Sequence, residues 1–296
     1  MNEYVIEIQA LSRRFGKKYA LQDIDVKVPR GIVLGLVGEN GAGKTTLIKH
    51  LLGLLKAQTG TVRVFDKNPV EDPVGVLGRI GYLSENREMP QWMSINEYIR
   101  YTKAFYPGWD MEYEKELISN FELDRTQLIK HLSRGQKAKV GLLVALAYKP
   151  DLLLFDEPSS GLDPVVRRDM LTAIVRTITE EGRTIVLSSH LLDEVERVAD
   201  QVVMIHEGQI VLSDTLEDIR EAHHQLIVRF EQDQDQKPIL PGMLSCEGGP
   251  MEWSCLCKEK IDILKTAVQN LKGNIVECTS PSLDEIFVAR VKADTI

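Results

Sequence analysis

Apolar and polar residues follow two different patterns along this chain, one typical of β-strands and the other typical of helices. Residues 4–11 alternate apolar with polar, as a half-buried strand does. Shorter apolar runs typical of buried strands follow at 32–37, 79–83, 151–155 and 184–188. Helical patterns occupy 45–55, 95–105, 111–121 and 164–181, the last one ended by Gly182. The pattern predicts an α/β protein.

The last third of the chain predicts a smaller α+β domain. A hairpin is expected at 202–205 and 209–212, and the polar segment 231–238 reads as a loop. Beyond it we expect a strand at 253–257, a helix at 260–271 and a strand at 274–278. We therefore predict a main domain at 1–215 and an accessory domain at 216–296. A helical insert is predicted at about 86–148 of the main domain.

Charge and hydropathy limit the possible classes of function. The formal net charge is −8, which argues against a dedicated nucleic-acid binder. The longest apolar runs fall well short of the roughly 18–20 residues that cross a bilayer. The first residues lack the basic and apolar regions of a signal peptide. We expect a cytosolic chain, and any membrane span must come from another polypeptide.

Cysteines are confined to the end of the chain, at Cys246, Cys255, Cys257 and Cys278. No CxxC pair is present, and reducing cytosol disfavours disulfides. We expect four unpaired thiols with no metal role.

A glycine-rich loop follows the strand at 32–37. It fits the pattern G-x-x-x-x-G-K-[ST] and comprises Gly38, Glu39, Asn40, Gly41, Ala42, Gly43, Lys44 and Thr45. Glycines let the backbone N–H groups point inward at phosphate oxygens, and the following helix adds its positive end. The Lys44 ammonium suits the β- and γ-phosphates, and the Thr45 hydroxyl suits Mg²⁺. This motif predicts a nucleotide phosphate site.

Two further strands end in residues with catalytic chemistry. Asp156 and Glu157 follow the run 152–155, where an α/β sheet places its ligands. Asp156 is placed to hold Mg²⁺, and Glu157 to polarise an attacking water. His190 follows the strand at 184–188 and can reach the γ-phosphate and that water.

Together with these motifs, the segment Leu132-Ser133-Arg134-Gly135-Gln136 resembles the signature of the ABC ATPase family. The resemblance covers about residues 4–215. It implies a P-loop NTPase core of the ABC type, with an antiparallel β subdomain and a helical subdomain.

The resemblance also implies roles for individual residues. Phe15 matches the aromatic that stacks on adenine, with Tyr19 as the less favoured substitute. The nucleotide loop extends to Thr46. Ser133, Gly135 and Gln136 match the signature, which serves the nucleotide of the opposite subunit. Lys44, Glu157 and His190 match the catalytic groups.

Two positions depart from the family pattern. Arg134 replaces the first glycine of the signature. Glu85 stands where the family has a glutamine, and its carboxylate can still ligate Mg²⁺ beside Thr45 and Asp156.

The function implied is an ATP-binding and ATP-hydrolysing subunit that powers transport through a separate transmembrane permease. The tail at 280–287 resembles ABC-2-type exporters. Such a subunit forms a homodimer or heterodimer at the cytoplasmic side of the membrane, with ATP and Mg²⁺ as cofactors and no nucleic acid. One alternative is a soluble ABC ATPase acting on ribosomes or DNA, but no second phosphate loop or long heptad run is evident. Another is a regulator without turnover, against which the intact Glu157 and His190 argue.

Overall fold

The computed structural model of the protein describes residues 3–86, 88–232 and 236–293. Contacts divide the chain into two compact units. The first comprises Met1–Ala199 and Ile205–Ile210, and the second comprises Asp200–Met204 and Val211–Ile296.

An antiparallel sheet begins the first unit. Its strands are β1 (Tyr4–Phe15), β2 (Lys18–Pro29) and β4 (Thr59–Val64), in the order β2-β1-β4. Ile6 of β1 lies opposite Val28 on one side and Val64 on the other. These apolar side chains are buried, which is why the alternating pattern of β1 is a reliable strand signal.

A second sheet has the strand order β5-β6-β7-β3-β8-β9. Its strands are β3 (Val33–Val37), β5 (Ile80–Leu83), β6 (Leu152–Asp156), β7 (Thr184–Ser189), β8 (Gln201–His206) and β9 (Gln209–Thr215). Strands β5, β6, β7 and β3 pair in parallel. Every residue of β3, β6 and β7 is buried, because both faces of a parallel sheet are covered. The predicted apolar strands are confirmed to within about one residue.

Several helices of the first unit begin at side-chain caps that the sequence supplies. The helices of this unit are α1 (Lys44–Leu51), α2 (Pro73–Leu77), α3 (Ile95–Lys103), α4 (Met111–Asn120), α5 (Arg134–Leu146), α6 (Pro164–Glu181) and α7 (Leu192–Glu196). Ser94 and Glu97 form a reciprocal capping box at α3, and the Asp110 carboxylate caps α4, whereas α1 and α7 have no side-chain cap. Among the helices of the described residues, none has the length and apolar content needed to span a bilayer.

Helix α1 ends earlier than the apolar pattern at 45–55 predicts. Gly53 has a φ of 69°. Its N–H donates to the His50 carbonyl at 3.1 Å, and the Leu54 N–H donates to the Lys49 carbonyl at 2.9 Å. These two bonds form a Schellman motif, which satisfies the last carbonyls and stops the helix at Leu51.

The described part of the second unit contains a four-stranded antiparallel sheet and three helices. They are α8 (Leu216–Ala222), β10 (His223–Phe230), β11 (Met243–Gly248), β12 (Glu252–Lys258), α9 (Ile261–Asn270), β13 (Gly273–Thr279) and α10 (Leu283–Ala293). The strand order is β11-β12-β10-β13. Leu264 and Val268 of α9 pack on the sheet with Val228 and Trp253. The predicted elements at 253–257, 260–271 and 274–278 are confirmed, whereas β10 and β11 lie outside the predicted set.

A disulfide joins Cys246 and Cys255. The two residues lie directly opposite each other on β11 and β12, with Cα atoms 4.1 Å apart. The expectation of four unpaired thiols is therefore wrong at these positions, because strand register brings the two sulfurs together. Cys257 is buried, which raises the pKa of its thiol to about 12, and Cys278 is exposed.

The buried His223 of the second unit holds a neutral imidazole. Its Nδ1 lies 2.8 Å from the Ile219 carbonyl oxygen, so Nδ1 carries the proton and donates. Its Nε2 lies 3.4 Å from a guanidinium nitrogen of Arg290. Burial lowers the pKa of His223, the bond to Ile219 partly offsets this, and the cations of Arg290 and Lys258 lower the pKa further.

Candidate active site at the carboxyl edge of the parallel sheet

Three segments that follow the parallel strands β3, β6 and β7 meet at one edge of the sheet. Strand β7 pairs with β3 on one side and with β6 on the other. The phosphate loop follows β3, Asp156 and Glu157 stand at the end of β6, and His190 follows β7. The topology therefore assembles the predicted chemistry at the place where α/β sheets bind ligands.

The loop turns tightly from β3 into α1, whose first residue is Lys44. Gly43 has a φ of 120°, and a Cβ atom at this position would collide with the Ala20 carbonyl oxygen. Only glycine meets both conditions. The first turn of α1, with its unpaired N–H groups, is thus brought to the cavity in a geometry that suits an anion.

A polar cavity of about 250 Å³ lies against this loop. It is lined by Ala20, Glu39, Asn40, Gly41, Gly43, Lys44, Thr45, Thr46, Glu85 and Glu157. Two residues of the predicted phosphate loop, Gly38 and Ala42, shape the loop and do not line the cavity. The Gly38 carbonyl accepts a bond from the Lys44 ammonium, and the Ala42 carbonyl accepts the Gly208 N–H at 2.9 Å.

The Lys44 ammonium is folded back into the protein. It donates to the carbonyl oxygens of Gly38 at 2.5 Å and Glu39 at 3.2 Å. It also forms an ion pair with Oε1 of Glu157 at 3.0 Å, and both side chains are about 95% buried, with 5% and 6% exposed. The phosphate-binding cation is therefore paired with the candidate catalytic carboxylate in this structure.

Asp156 lies in a buried cluster of hydroxyl groups. Its Oδ1 accepts from Thr45 Oγ1 at 3.2 Å and from Ser188 Oγ at 2.8 Å. A carboxylate and a hydroxyl side by side are the hard oxygen donors that Mg²⁺ prefers, so this arrangement fits the predicted metal. Ser188 is absent from the sequence prediction, although its register opposite Asp156 follows from the parallel pairing of β6 and β7.

Glu157 connects the cation to the histidine. Its Oε2 lies 2.7 Å from His190 Nδ1, while its other oxygen contacts Lys44. The backbone is held at a φ of 49°, which is uncommon for a residue with a side chain. Its N–H is directed at Ser188, 3.1 Å from Oγ and 3.2 Å from the carbonyl oxygen. These contacts fix the position of the carboxylate between Lys44 and His190.

A second buried carboxylate, Glu194, ties the segments after β6 and β7 together. Its Oε2 accepts from Ser159 Oγ at 2.6 Å, and its Oε1 pairs with Arg167 Nε at 3.1 Å. Burial raises the pKa of Glu194, and the contacts with Ser159 and Arg167 oppose the rise. None of these residues is in the sequence prediction, because a carboxylate in a short polar helix carries no pattern that marks it as buried.

The two candidate adenine-stacking aromatics lie on the hairpin of β1 and β2. Phe15 is 50% exposed, with the Arg13 guanidinium 4.9 Å from its ring centre. Tyr19 is 40% exposed, with Arg14 at 4.7 Å. Neither aromatic lines the phosphate cavity, whereas Ala20 does. The choice of Phe15 stays a prediction.

The signature residues form the start of α5. Ser133 is its N-cap, and Ser133 and Gln136 form a reciprocal capping box, with bonds of 3.2 and 2.9 Å. A Cβ atom on Gly135 would lie 3.2 Å from the Val166 side chain, so glycine allows close packing against α6. These residues do not line the phosphate cavity of their own chain.

Comparisons with known proteins agree with this geometry. A model of the family described as "ABC transporter" matches residues 21–160. The ABC transporter ATP-binding protein YtrB of Bacillus subtilis (strain 168) is 24% identical over 97% of this chain and 98% of its own length.

The daunorubicin/doxorubicin resistance ATP-binding protein DrrA of Streptomyces peucetius is 30% identical, over 82% of this chain and 76% of its own length. A solved structure described as the ATP-binding subunit of an ABC transporter shares 31% identity. It superposes with a TM-score of 0.67 over 73% of this chain and 92% of that one. The chain belongs to the ABC transporter family, as one of its ATP-binding, ATP-hydrolysing subunits.

Proposed function

We propose that this chain hydrolyses ATP with Mg²⁺ at the site described above and so powers export through a separate membrane subunit. One observation carries the hydrolytic part. The buried Glu157 carboxylate stands between the Lys44 ammonium at 3.0 Å and the His190 imidazole at 2.7 Å. A buried carboxylate between a phosphate-binding cation and a histidine suits activation of water.

Binding of the triphosphate begins with an exchange of partners at Lys44. Phosphate oxygens replace the Glu157 carboxylate beside the ammonium, so the ion pair opens as the nucleotide enters. The first turn of α1 and the loop N–H groups surround the phosphates. Glu157 is released in the same step, and its oxygen becomes available to a water molecule.

Thr45 and Asp156 would hold the Mg²⁺ ion. Glu85, the third predicted ligand, lines the phosphate cavity with its Oε1 turned to Ser160 Oγ at 3.4 Å. When bound, the ion neutralises charge on the β- and γ-phosphates. Ser188 donates to Asp156 at 2.8 Å and keeps that carboxylate oriented.

Glu157 then orients the attacking water and accepts its proton. The backbone N–H of His190 donates to Glu157 Oε2 at 3.4 Å, and His190 Nδ1 lies 2.7 Å from the same oxygen. These two contacts keep the carboxylate aligned. His190 is 37% exposed at its side chain, which leaves an edge of the ring accessible to the γ-phosphate.

ABC ATP-binding subunits dimerise and work with transmembrane permeases, and we extend this arrangement to the present chain. Ser133, Gly135 and Gln136 lie away from the phosphate cavity of their own chain. This supports a composite site in which they contact the nucleotide of the opposite subunit. Closure on ATP and release after hydrolysis would drive the permease between conformations. The chain would lie at the cytoplasmic side of the membrane, held there by the permease.

Export is supported by similarity to DrrA, which is a daunorubicin/doxorubicin resistance protein by name. The similarity to YtrB over nearly the full length of both chains supports a transporter role that includes the second unit.

Purified protein tests the hydrolytic part. ATP turnover should require Mg²⁺ and should fall to background with a chelator or in a Lys44→Ala variant. For the transport part, the chain is expressed alone and together with a candidate membrane subunit. We expect the chain to sediment with membranes only in the second case. Tight binding of the lone chain to protein-free liposomes would contradict anchoring through a partner.

A further inference from the structure

Two side chains of opposite charge contact the turn at Ser160 and Gly161. Glu85 Oε1 is 3.4 Å from Ser160 Oγ, which donates to it. Arg134 lies against Gly161, since a Cβ atom built there would be 2.8 Å from an Arg134 guanidinium nitrogen. Ser160 and Gly161 are neighbours in sequence, so Glu85 and Arg134 hold the same turn.

Both side chains also border one polar cavity of about 330 Å³. It is lined by Glu85, Asn86, Arg134, Lys137, Ser160 and Gly161. Glu85 brings a negative charge to this cavity, and Arg134 brings a positive one. Opposite charges that border one cavity attract each other, although solvent reduces the energy.

Glu85 belongs to the phosphate cavity as well, together with Thr45 and Glu157. A mobile carboxylate at this place repels a triphosphate. The position of Glu85 therefore matters for nucleotide binding. Arg134 is absent from the phosphate cavity lining, so its influence on the nucleotide of its own chain has to pass through another group.

We propose that Arg134 is a positioning residue that acts through Glu85. Its charge, placed beside Gly161 on the cavity that Glu85 also lines, holds the Glu85 carboxylate against Ser160 and away from the γ-phosphate. The proposal rests on the ATP hydrolysis proposed above. It also accounts for the joint occurrence of the two departures from the family pattern, since each charge compensates the other.

The matched alternative is that Arg134 acts independently of Glu85, for example on the nucleotide of an opposite subunit. A double-mutant cycle separates the two. The variants are Arg134→Ala, Glu85→Gln and their combination. Because both side chains are exposed, each variant should keep the fold, and melting temperatures check this.

For the full-length chain we expect Arg134→Ala to raise KM for ATP about fivefold, since exposed charge pairs contribute up to about 1 kcal/mol. In the Glu85→Gln background the same change should alter KM by less than about twofold, because the carboxylate it controls is absent. Arg134→Lys keeps the charge and should restore most of the affinity. At about 1 M salt, where the Debye length is about 3 Å, the effect of Arg134→Ala should shrink.

Lys137 supplies the control, since it lines the same cavity about one helical turn further along α5. Lys137→Ala should leave KM within about twofold in both backgrounds, because the three atoms nearest to a Cβ built at Gly161 all belong to Arg134. An equal effect of Arg134→Ala in both backgrounds would overturn the proposal, and so would no effect in either. Absence of turnover in the wild-type chain would instead refute the proposed hydrolytic function, so the two failures are distinguishable.

Discussion

Replacing Glu157 by glutamine tests the central contact of the site. The wild-type carboxylate is 5% exposed and contacts the Lys44 ammonium at 3.0 Å and His190 Nδ1 at 2.7 Å. Glutamine has nearly the same shape and keeps an oxygen toward one neighbour. It removes the negative charge, and with it the ability to accept a proton from water.

Two opposite changes are expected from this substitution. Loss of the general base should lower kcat by about 10²–10⁴-fold. ATP binding should become tighter, because phosphates no longer compete with a carboxylate for Lys44. Hydrogen bonds to charged groups contribute about 1.5–3 kcal/mol and neutral ones about 0.5–1.5 kcal/mol. The difference of roughly 1–1.5 kcal/mol corresponds to a Kd that is about five- to twelvefold lower.

Phosphate release measures the first change, and calorimetric titration with a non-hydrolysable ATP analogue measures the second. Glu112→Gln is the matched control, because Glu112 is an exposed carboxylate paired with Lys115 at 2.7 Å. Glu112→Gln should leave both kcat and the affinity for the ATP analogue unchanged. Unchanged turnover in Glu157→Gln would refute the role as general base. Unchanged analogue affinity would refute the competition between Glu157 and the phosphates for Lys44.

Three further predictions follow from the aromatic pair, the signature and the second unit. Phe15→Ala should weaken ATP binding about tenfold or more, since stacking on a base contributes roughly 1–3 kcal/mol, while Phe15→Tyr should bind normally in the same titration. If the chain forms homodimers, mixing inactive Lys44→Ala and Ser133→Arg proteins should restore part of the ATP turnover, because both lesions then fall in one composite site and the other is intact. The pKa of His223 is lower in the folded chain than in the unfolded chain, so as the pH falls below about 6.5 this histidine binds a proton in the unfolded chain before it does so in the folded one. Urea unfolding should therefore show stability lost between neutral and acidic pH, and His223→Gln should reduce that loss.

Each of these predictions has an outcome that contradicts it. Loss of ATP binding in Tyr19→Ala with normal binding in Phe15→Ala would mean that the other aromatic stacks on adenine. If crosslinking shows that mixed dimers are present and they remain inactive, the result would favour ATP sites contained within one chain, or a requirement for two working sites. An identical pH dependence of stability in His223→Gln and the wild-type chain would show that the histidine is not responsible.

Local sequence was enough to predict most of the secondary structure near the site. Buried parallel strands are apolar throughout, and helices such as α3 and α5 carry their caps within a few residues. The phosphate loop needs glycines at defined spacing, so it is recognisable without knowledge of the fold. The location of Asp156, Glu157 and His190 at strand ends followed from the same local patterns.

Contacts between distant segments were decided by tertiary structure alone. Ser188 meets Asp156 only because β6 and β7 pair in one register. The disulfide likewise depends on the register of β11 and β12, which the spacing of Cys246 and Cys255 does not determine.

The sequence by itself determined the nucleotide chemistry of this protein, because those residue types lie in short contiguous motifs. The tertiary structure decided which side chains contact the residues of these motifs. It pairs Lys44 with Glu157, buries Glu194 against Ser159, and places Glu85 and Arg134 at one turn. Such pairings depend on how strands and helices pack. Lys44 and Glu157, for example, are more than a hundred residues apart in the sequence. A local pattern carries no information about which distant residues meet.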